Sequence, residues 1–200
     1  MNSVFIVDDD PSVRKAVGRL VRSAGMDVSL HASAQDFLAA YAPDAPGCVV
    51  LDVAMPGSSG LALQEELVAT GAAPPIIFLT GHSDVPAIVQ AMKHGASDFL
   101  SKPVEERTLL DAIRSALEKD RVDRIDRSEL AELRARLKTL TPRETEVLRG
   151  VVAGKANKVI AAELGTVEKT IKVHRARAIR KMKVRSLAAL VQVAWRVGIH

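Results

Sequence analysis

Aromatic side chains are scarce in this sequence. One Trp, one Tyr and four Phe make up 3% of 200 residues, while hydrophobic residues of all kinds make up 48%. Sizeable cores can be buried, but they must be aliphatic, and the length allows one mid-sized domain and one small one. The single cysteine, Cys48, excludes an intrachain disulfide, and nothing around it resembles a thiol metal site. Within the apolar run Cys48-Val49-Val50-Leu51 it reads as a small buried hydrophobe. No run approaches the roughly 18 apolar residues of a membrane span. Residues 1–8 lack both the basic flank and the apolar length of a signal peptide. The expected setting is soluble, reducing and cytoplasmic, with no membrane partner.

Charge is unevenly spread. Residues 1–137 carry 14 Lys and Arg against 20 Asp and Glu, a net of −6, and residues 138–200 carry 14 against 4, a net of +10. This asymmetry predicts two domains with different partners, and the basic one is a candidate for nucleic acid.

Through the first 120 residues, short apolar runs alternate with amphipathic stretches. The runs, at 4–7, 28–30, 48–51, 76–79 and 99–100, mostly lack polar alternation, as do strands buried on both faces of a parallel sheet. Between them, sets such as Val13, Val17, Leu20 and Val21, or Leu109, Leu110, Ile113 and Leu117, recur at helical spacing. Five such repeats predict an α/β fold, a doubly wound five-stranded parallel sheet of flavodoxin-like type with right-handed crossovers. Ligands of such sheets bind outside the carboxyl ends of the strands.

Chemistry-bearing residues fall at those ends. Asp8, Asp9 and Asp10 follow the first run, Asp52 the third and Lys102 the fifth. Several carboxylates within a few ångströms are costly unless a cation joins them. Oxygen ligands with retained waters suit Mg²⁺.

Four motifs stand in order at the strand ends: Val7-Asp8-Asp9-Asp10-Pro11, Leu51-Asp52-Val53-Ala54-Met55-Pro56-Gly57, Leu79-Thr80-Gly81 and Ser101-Lys102-Pro103. Together they resemble the receiver domains of two-component response regulators, over residues 3 to about 119. The resemblance implies that Asp52 is the phosphoacceptor, a carboxylate nucleophile that forms an aspartyl-phosphate. It implies Mg²⁺ or Mn²⁺ held by Asp9, Asp52 and the backbone carbonyl of Ala54, with Asp8 acting through water. Lys102 and Thr80 would meet the phosphoryl oxygens, Thr80 and Phe99 would form the switch, and the Lys102–Pro103 bond would be cis. Phe99 has no hydroxyl, which removes one hydrogen bond that a Tyr there could make.

Residues 118–138 are highly charged, without Pro or Gly, and read as a helical connector that could continue the fifth helix. Leu130, Leu133, Leu137 and Leu140 then return at three- and four-residue spacing. They could form a coiled-coil seam between two chains or pack on the C-terminal domain. From Thr141 onward only helical signals follow. Thr141-Pro142-Arg143-Glu144 is a capping-box start. Further helices are expected around Ile160, over Glu168 to about Met182, and from about Ser186 through Leu190 and Val193 to Val197.

The helix that starts near Glu168 carries Lys169, Lys172, His174, Arg175, Arg177, Arg180 and Lys181, which suits a major groove. The segments around Leu140-Thr141-Pro142-Arg143-Glu144, Gly154-Lys155-Ala156-Asn157-Lys158 and Thr170-Ile171-Lys172-Val173-His174-Arg175 resemble the LuxR-type helix-turn-helix. With the receiver motifs, that places the chain beside the FixJ/NarL class. The implied domains are a receiver over 1–119, a connector over 120–137 and an all-α four-helix DNA-binding domain over 138–200. The implied DNA contacts are Lys155, Lys158, Thr170, Lys172, Val173, His174 and Arg177. His174 could instead pack within its domain, and Thr166 is expected to cap the recognition helix.

The implied function is a phosphorylation switch. A sensor histidine kinase phosphorylates Asp52, the chain becomes a homodimer through residues 85–99, and it binds double-stranded promoter DNA, with RNA polymerase as a further partner. Any enzymatic activity would be limited to slow self-phosphorylation and autodephosphorylation at Asp52. Three other classes stand beside it at this stage: an aspartate-nucleophile phosphohydrolase, a DNA-binding protein with a vestigial pocket, and a protein-interaction module. The first lacks an acid two residues after Asp52, where Ala54 stands.

Overall fold

The computed structural model describes residues 3–43, 45–81 and 85–199. Met1, Asn2 and residues 82–84 of the loop after the fourth strand lie outside the described residues. The chain divides into two compact units, Met1–Asp123 and Arg124–His200.

In the first unit the five apolar runs are five parallel strands: β1 (Ser3–Val7), β2 (Asp27–His31), β3 (Gly47–Asp52), β4 (Ile76–Thr80) and β5 (Asp98–Ser101), in the order β2-β1-β3-β4-β5. Helices α1 (Pro11–Ser23), α2 (Ala34–Ala40), α3 (Gly60–Ala69), α4 (Val85–Lys93) and α5 (Glu106–Leu137) alternate with them. This is the doubly wound, flavodoxin-like sheet that the repeats predicted.

Period-two alternation sorts the strand residues onto two faces. Phe5, Val7, Val49, Leu51 and Phe78 join Phe37 of α2, Leu63 and Leu67 of α3 and Ala91 of α4 in one core. Val4, Ile6, Cys48, Val50, Ile77 and Leu79 join Val17 and Val21 of α1 and Leu109 and Ile113 of α5 in the other. The central strands β3 and β4 are buried throughout, as expected. The edge strands β2 and β5 are mostly half-buried, because each has a neighbour on one side only. Cys48 is fully buried, and desolvation first, with Asp120 adding to it, pushes its thiol up to about 12.

Helix α5 runs unbroken from Glu106 to Leu137, so the charged connector is the continuation of the fifth helix. Within the second unit its leucines turn inward. Leu133 and Leu140 are buried, Leu137 packs on the core around Leu148, Met182 and Leu190, and Glu129 pairs with Arg196 at 3.1 Å. Of the two open alternatives, packing on the C-terminal helices is the one observed.

That unit holds α6 (Pro142–Val152), α7 (Asn157–Glu163), α8 (Glu168–Lys181) and α9 (Leu187–Arg196). The capping box is present in full: Thr141 Oγ1 accepts from the Glu144 N–H, and Glu144 Oε2 accepts from the Thr141 N–H at 2.9 Å. One local expectation fails. The N-cap of α8 is Val167, not Thr166, and no side-chain hydrogen bond caps this helix. Gly165, at φ 61°, makes the turn, and the extended residue before Glu168 is one further along than a Thr166 cap needs.

Candidate functional site: an acidic pocket and a basic helix

The parallel order places the ends of β1 and β3 side by side, and the strand order reverses there. Asp8 follows β1 and Asp52 is the last residue of β3. Asp10 is the N-cap of α1, its side chain accepting from the Ser12 N–H at 2.7 Å, with Pro11 in the first turn. The acidic triplet thus divides its labour. Asp10 starts the helix, which leaves Asp8 and Asp9 at the mouth of the pocket. Carboxylate oxygens of Asp8, Asp9 and Asp52 lie within 4.8 Å of one another.

Lys102 reaches this cluster from beyond β5. Its Nζ donates to Asp8 Oδ2 at 2.7 Å and to Asp52 Oδ1 at 3.1 Å. The Lys102 N–H donates to the Thr80 carbonyl at 2.6 Å, and the Lys102–Pro103 bond is cis. Thr80, the last residue of β4, is 3% exposed. Asp8 and Asp52 are buried, Asp9 and Ala54 exposed. Phe99 is half-buried, its ring 5.8 Å from that of Phe78.

Burial pushes the Asp52 carboxyl above its usual range. Lys102 opposes that rise, and the neighbouring Asp8 and Asp9 add to it. Burial also works against the Lys102 ammonium, but its bonds to Asp8 and Asp52 outweigh this and hold it above the usual lysine range. One ammonium therefore serves a cluster of three acids. Such an arrangement has capacity for further positive charge, and the hard oxygen donors suit a divalent cation.

Two features here were not legible beforehand. Arg14 of α1 donates to the Asp8 carbonyl at 2.6 Å and ties down the loop that carries the acids. Gly60 opens α3 beside the phosphoacceptor candidate: a Cβ there would come within 2.2 Å of the Asp52 carbonyl oxygen, so any larger residue would displace the strand end. The only sequence signal for either was position next to a motif.

In the second unit, α7, the turn at Gly165 and α8 form a helix-turn-helix. Lys158, Lys172, Val173 and Arg177 are exposed, Lys172 pairing with Glu168 at 3.3 Å. Lys155 pairs with Glu163 of α7 at 2.6 Å. Thr170 is half-buried. His174 is also half-buried, and its Nδ1 is buried without a hydrogen-bond partner among the described residues. Arg175, which shares spacing with Lys172, turns instead to Asn157 Oδ1 at 2.5 Å and staples α8 to α7.

The model for the "Response regulator receiver domain" matches residues 4–114, and that for "Bacterial regulatory proteins, luxR family" matches residues 138–194. The chain belongs to the two-component response regulators of the FixJ/NarL class. It is a transcription regulator with a receiver domain and a LuxR-type DNA-binding domain. It is similar to nodulation protein W of Bradyrhizobium diazoefficiens, with 46% identity over 98% of this chain and 86% of that one. It is also similar to the transcriptional regulatory protein FixJ of Azorhizobium caulinodans, with 43% identity over 98% of this chain and 93% of that one. Among solved structures, that of the response regulator StyR superposes with a TM-score of 0.85 at 46% identity, over 98% of each chain.

Proposed function

We propose that Asp52 accepts a phosphoryl group from a sensor histidine kinase, and that the phosphorylated chain dimerises and binds promoter DNA. The observation that carries this reading is the pocket itself: Lys102 Nζ bonded to both Asp8 and Asp52, beside a third carboxylate, at the switch point of a parallel sheet.

In the transfer, a carboxylate oxygen of Asp52 attacks phosphorus as the P–N bond of a phosphohistidine breaks. The imidazole leaves with the bonding electrons and takes up a proton. Asp9, Asp52 and the Ala54 carbonyl would hold Mg²⁺ or Mn²⁺, with Asp8 acting through water. When bound, the ion supplies charge neutralisation at the phosphoryl oxygens. The Lys102 ammonium, already at Asp52 Oδ1, pairs with the incoming phosphoryl oxygens, and the Thr80 hydroxyl donates to one of them.

Drawing Thr80 toward the phosphoryl group alters the packing of Phe99 and the face over 85–99. Apolar side chains already stand open there: Val85 is 65% exposed and Met92 47%. A second copy covering them gives the dimer. Two LuxR-type units then act together, and effective concentration raises their joint affinity for a two-fold site. Lys155, Lys158, Thr170, Lys172, Val173, His174 and Arg177 would contact that DNA, and RNA polymerase would be engaged at the promoter. On this reading 1–119 is the receiver, 120–137 the connector and 138–200 the output domain.

Phosphotransfer labelling tests the first step. With acetyl phosphate and a divalent cation, the wild-type chain should gain one hydroxylamine-labile phosphoryl group, and Asp52→Asn none. Equal labelling of the Asn variant would move the acceptor elsewhere.

A further inference from the structure

Helix α4 is held unevenly. Its last turns are anchored: Ala91 is fully buried, the only buried residue of the helix, and its carbonyl accepts from the Ala96 N–H at 3.0 Å. The same carbonyl accepts a second bond at 3.0 Å from Nε2 of Gln64, on α3. None of its first five residues is fully buried: Val85 is 65% and Val89 45% exposed, and Ala87 and Ile88 are half-buried.

Gln64 is an unusual residue for this place. It is 1% exposed, yet only half of its amide is used, because Oε1 is buried and accepts no hydrogen bond among the described residues. Such an orphan carries a desolvation penalty, which makes the site a reservoir of strain. Outside the core, the neighbouring Glu65 adds two ties to the same end of α4. Its Oε1 accepts from Gln90 Nε2 at 3.2 Å and lies 3.7 Å from His94 Nδ1.

We propose that Gln64 is a positioning residue of the switch: a buried pin that fixes the C-terminal end of α4 to α3. Response to phosphorylation is then confined to the less buried N-terminal half. This inference rests on the reading of Asp52 as phosphoacceptor and of 85–99 as the responding face.

Hydrogen exchange of the full-length chain, with and without beryllofluoride and Mg²⁺, tests it. In the wild type, amides of residues 85–89 should change protection and those of 91–96 should not. Gln64→Met keeps the length and loses both polar atoms. In that variant both halves should respond, and the dimerisation gain on activation should shrink about fivefold, the worth of one such bond in a two-state equilibrium. Acetyl-phosphate labelling of Asp52 should stay as in the wild type. Glu65→Ala, at an exposed position that cannot collapse the core, should shift the same readouts about twofold. Wild-type exchange and dimerisation in both variants, with Asp52 labelled, would overturn the pin alone. A wild-type chain that takes no label at Asp52 would overturn the pin together with the reading beneath it.

Discussion

In the receiver unit Lys102 meets two buried carboxylates, and in the LuxR-type unit Lys181 meets one. At Asp52 burial wins, and the carboxyl lies above its usual range despite the bond to Lys102. At Glu144 burial acts in the same direction but loses. Lys181 at 2.6 Å and the Thr141 N–H at 2.9 Å together hold that carboxyl below its usual range. Each is a carboxylate facing a lysine, and both acids have little surface exposed. What differs is the surroundings: Asp52 is the more desolvated and shares one ammonium with two further acids, whereas Glu144 has Lys181 and the bonds from Thr141 to itself. A saturated pair of this kind fixes the start of α6 on α8. An under-neutralised cluster at a strand end is a site prepared for something more, and such sites are kept at the expense of stability.

The largest effect should come from Lys102→Ala, which removes the ammonium bonded to Asp8 and Asp52. Urea denaturation followed by circular dichroism should show a loss of about 2–3 kcal/mol at neutral pH, at the low end for a broken buried pair because Lys102 is partly exposed. The loss should shrink on acidification. Without Lys102 the native Asp52 binds its proton still more readily than the unfolded chain does, so stability is gained as pH falls through the native value. A loss independent of pH down to about 4, near the ordinary carboxylate value, would mean that the pocket is as balanced as the Glu144 site.

A smaller pair of effects sharpens the contrast. Glu144→Gln should lower stability at neutral pH by about 1–2 kcal/mol, and Asp52→Asn should raise it by about 1 kcal/mol. The signs follow from linkage. A carboxyl held low, such as Glu144, contributes stability above the unfolded pKa that is lost as pH falls through the native value. A carboxyl held high, such as Asp52, does the reverse: its contribution is full below the unfolded pKa and is lost as pH rises through the native one. Melting temperatures of the two variants should therefore move in opposite directions at pH 7 and converge toward wild type in acid. Shifts of the same sign would erase the distinction.

Much of this was legible in the sequence because it rests on local pattern. Buried central strands read as continuous apolar runs, Thr141 and Glu144 announce a helix start, and the acids, Thr80 and Lys102 sit one after another at strand ends. What was not legible is where polar residues on helices point. Gln64 looks like a solvent-facing residue of α3, and Asp120 is one charge in a charged run. Yet Asp120 is buried and accepts from the Gly47 N–H at 2.9 Å. Arg175 reads as a groove-facing cation and is committed to Asn157. Periodicity cannot find such residues, because their partners are 73, 27 and 18 positions away. The leucines of the connector were ambiguous for a related reason. The same spacing serves a seam between chains or a lid on the next domain, and only the partner surface decides.

Sedimentation velocity of the full-length chain, with and without beryllofluoride and Mg²⁺, tests the central claim most directly. The wild type should pass from monomer to dimer on addition, and Asp52→Asn should remain a monomer under both conditions. A wild type that does not respond, or an Asn variant that dimerises equally, would contradict a switch set at Asp52.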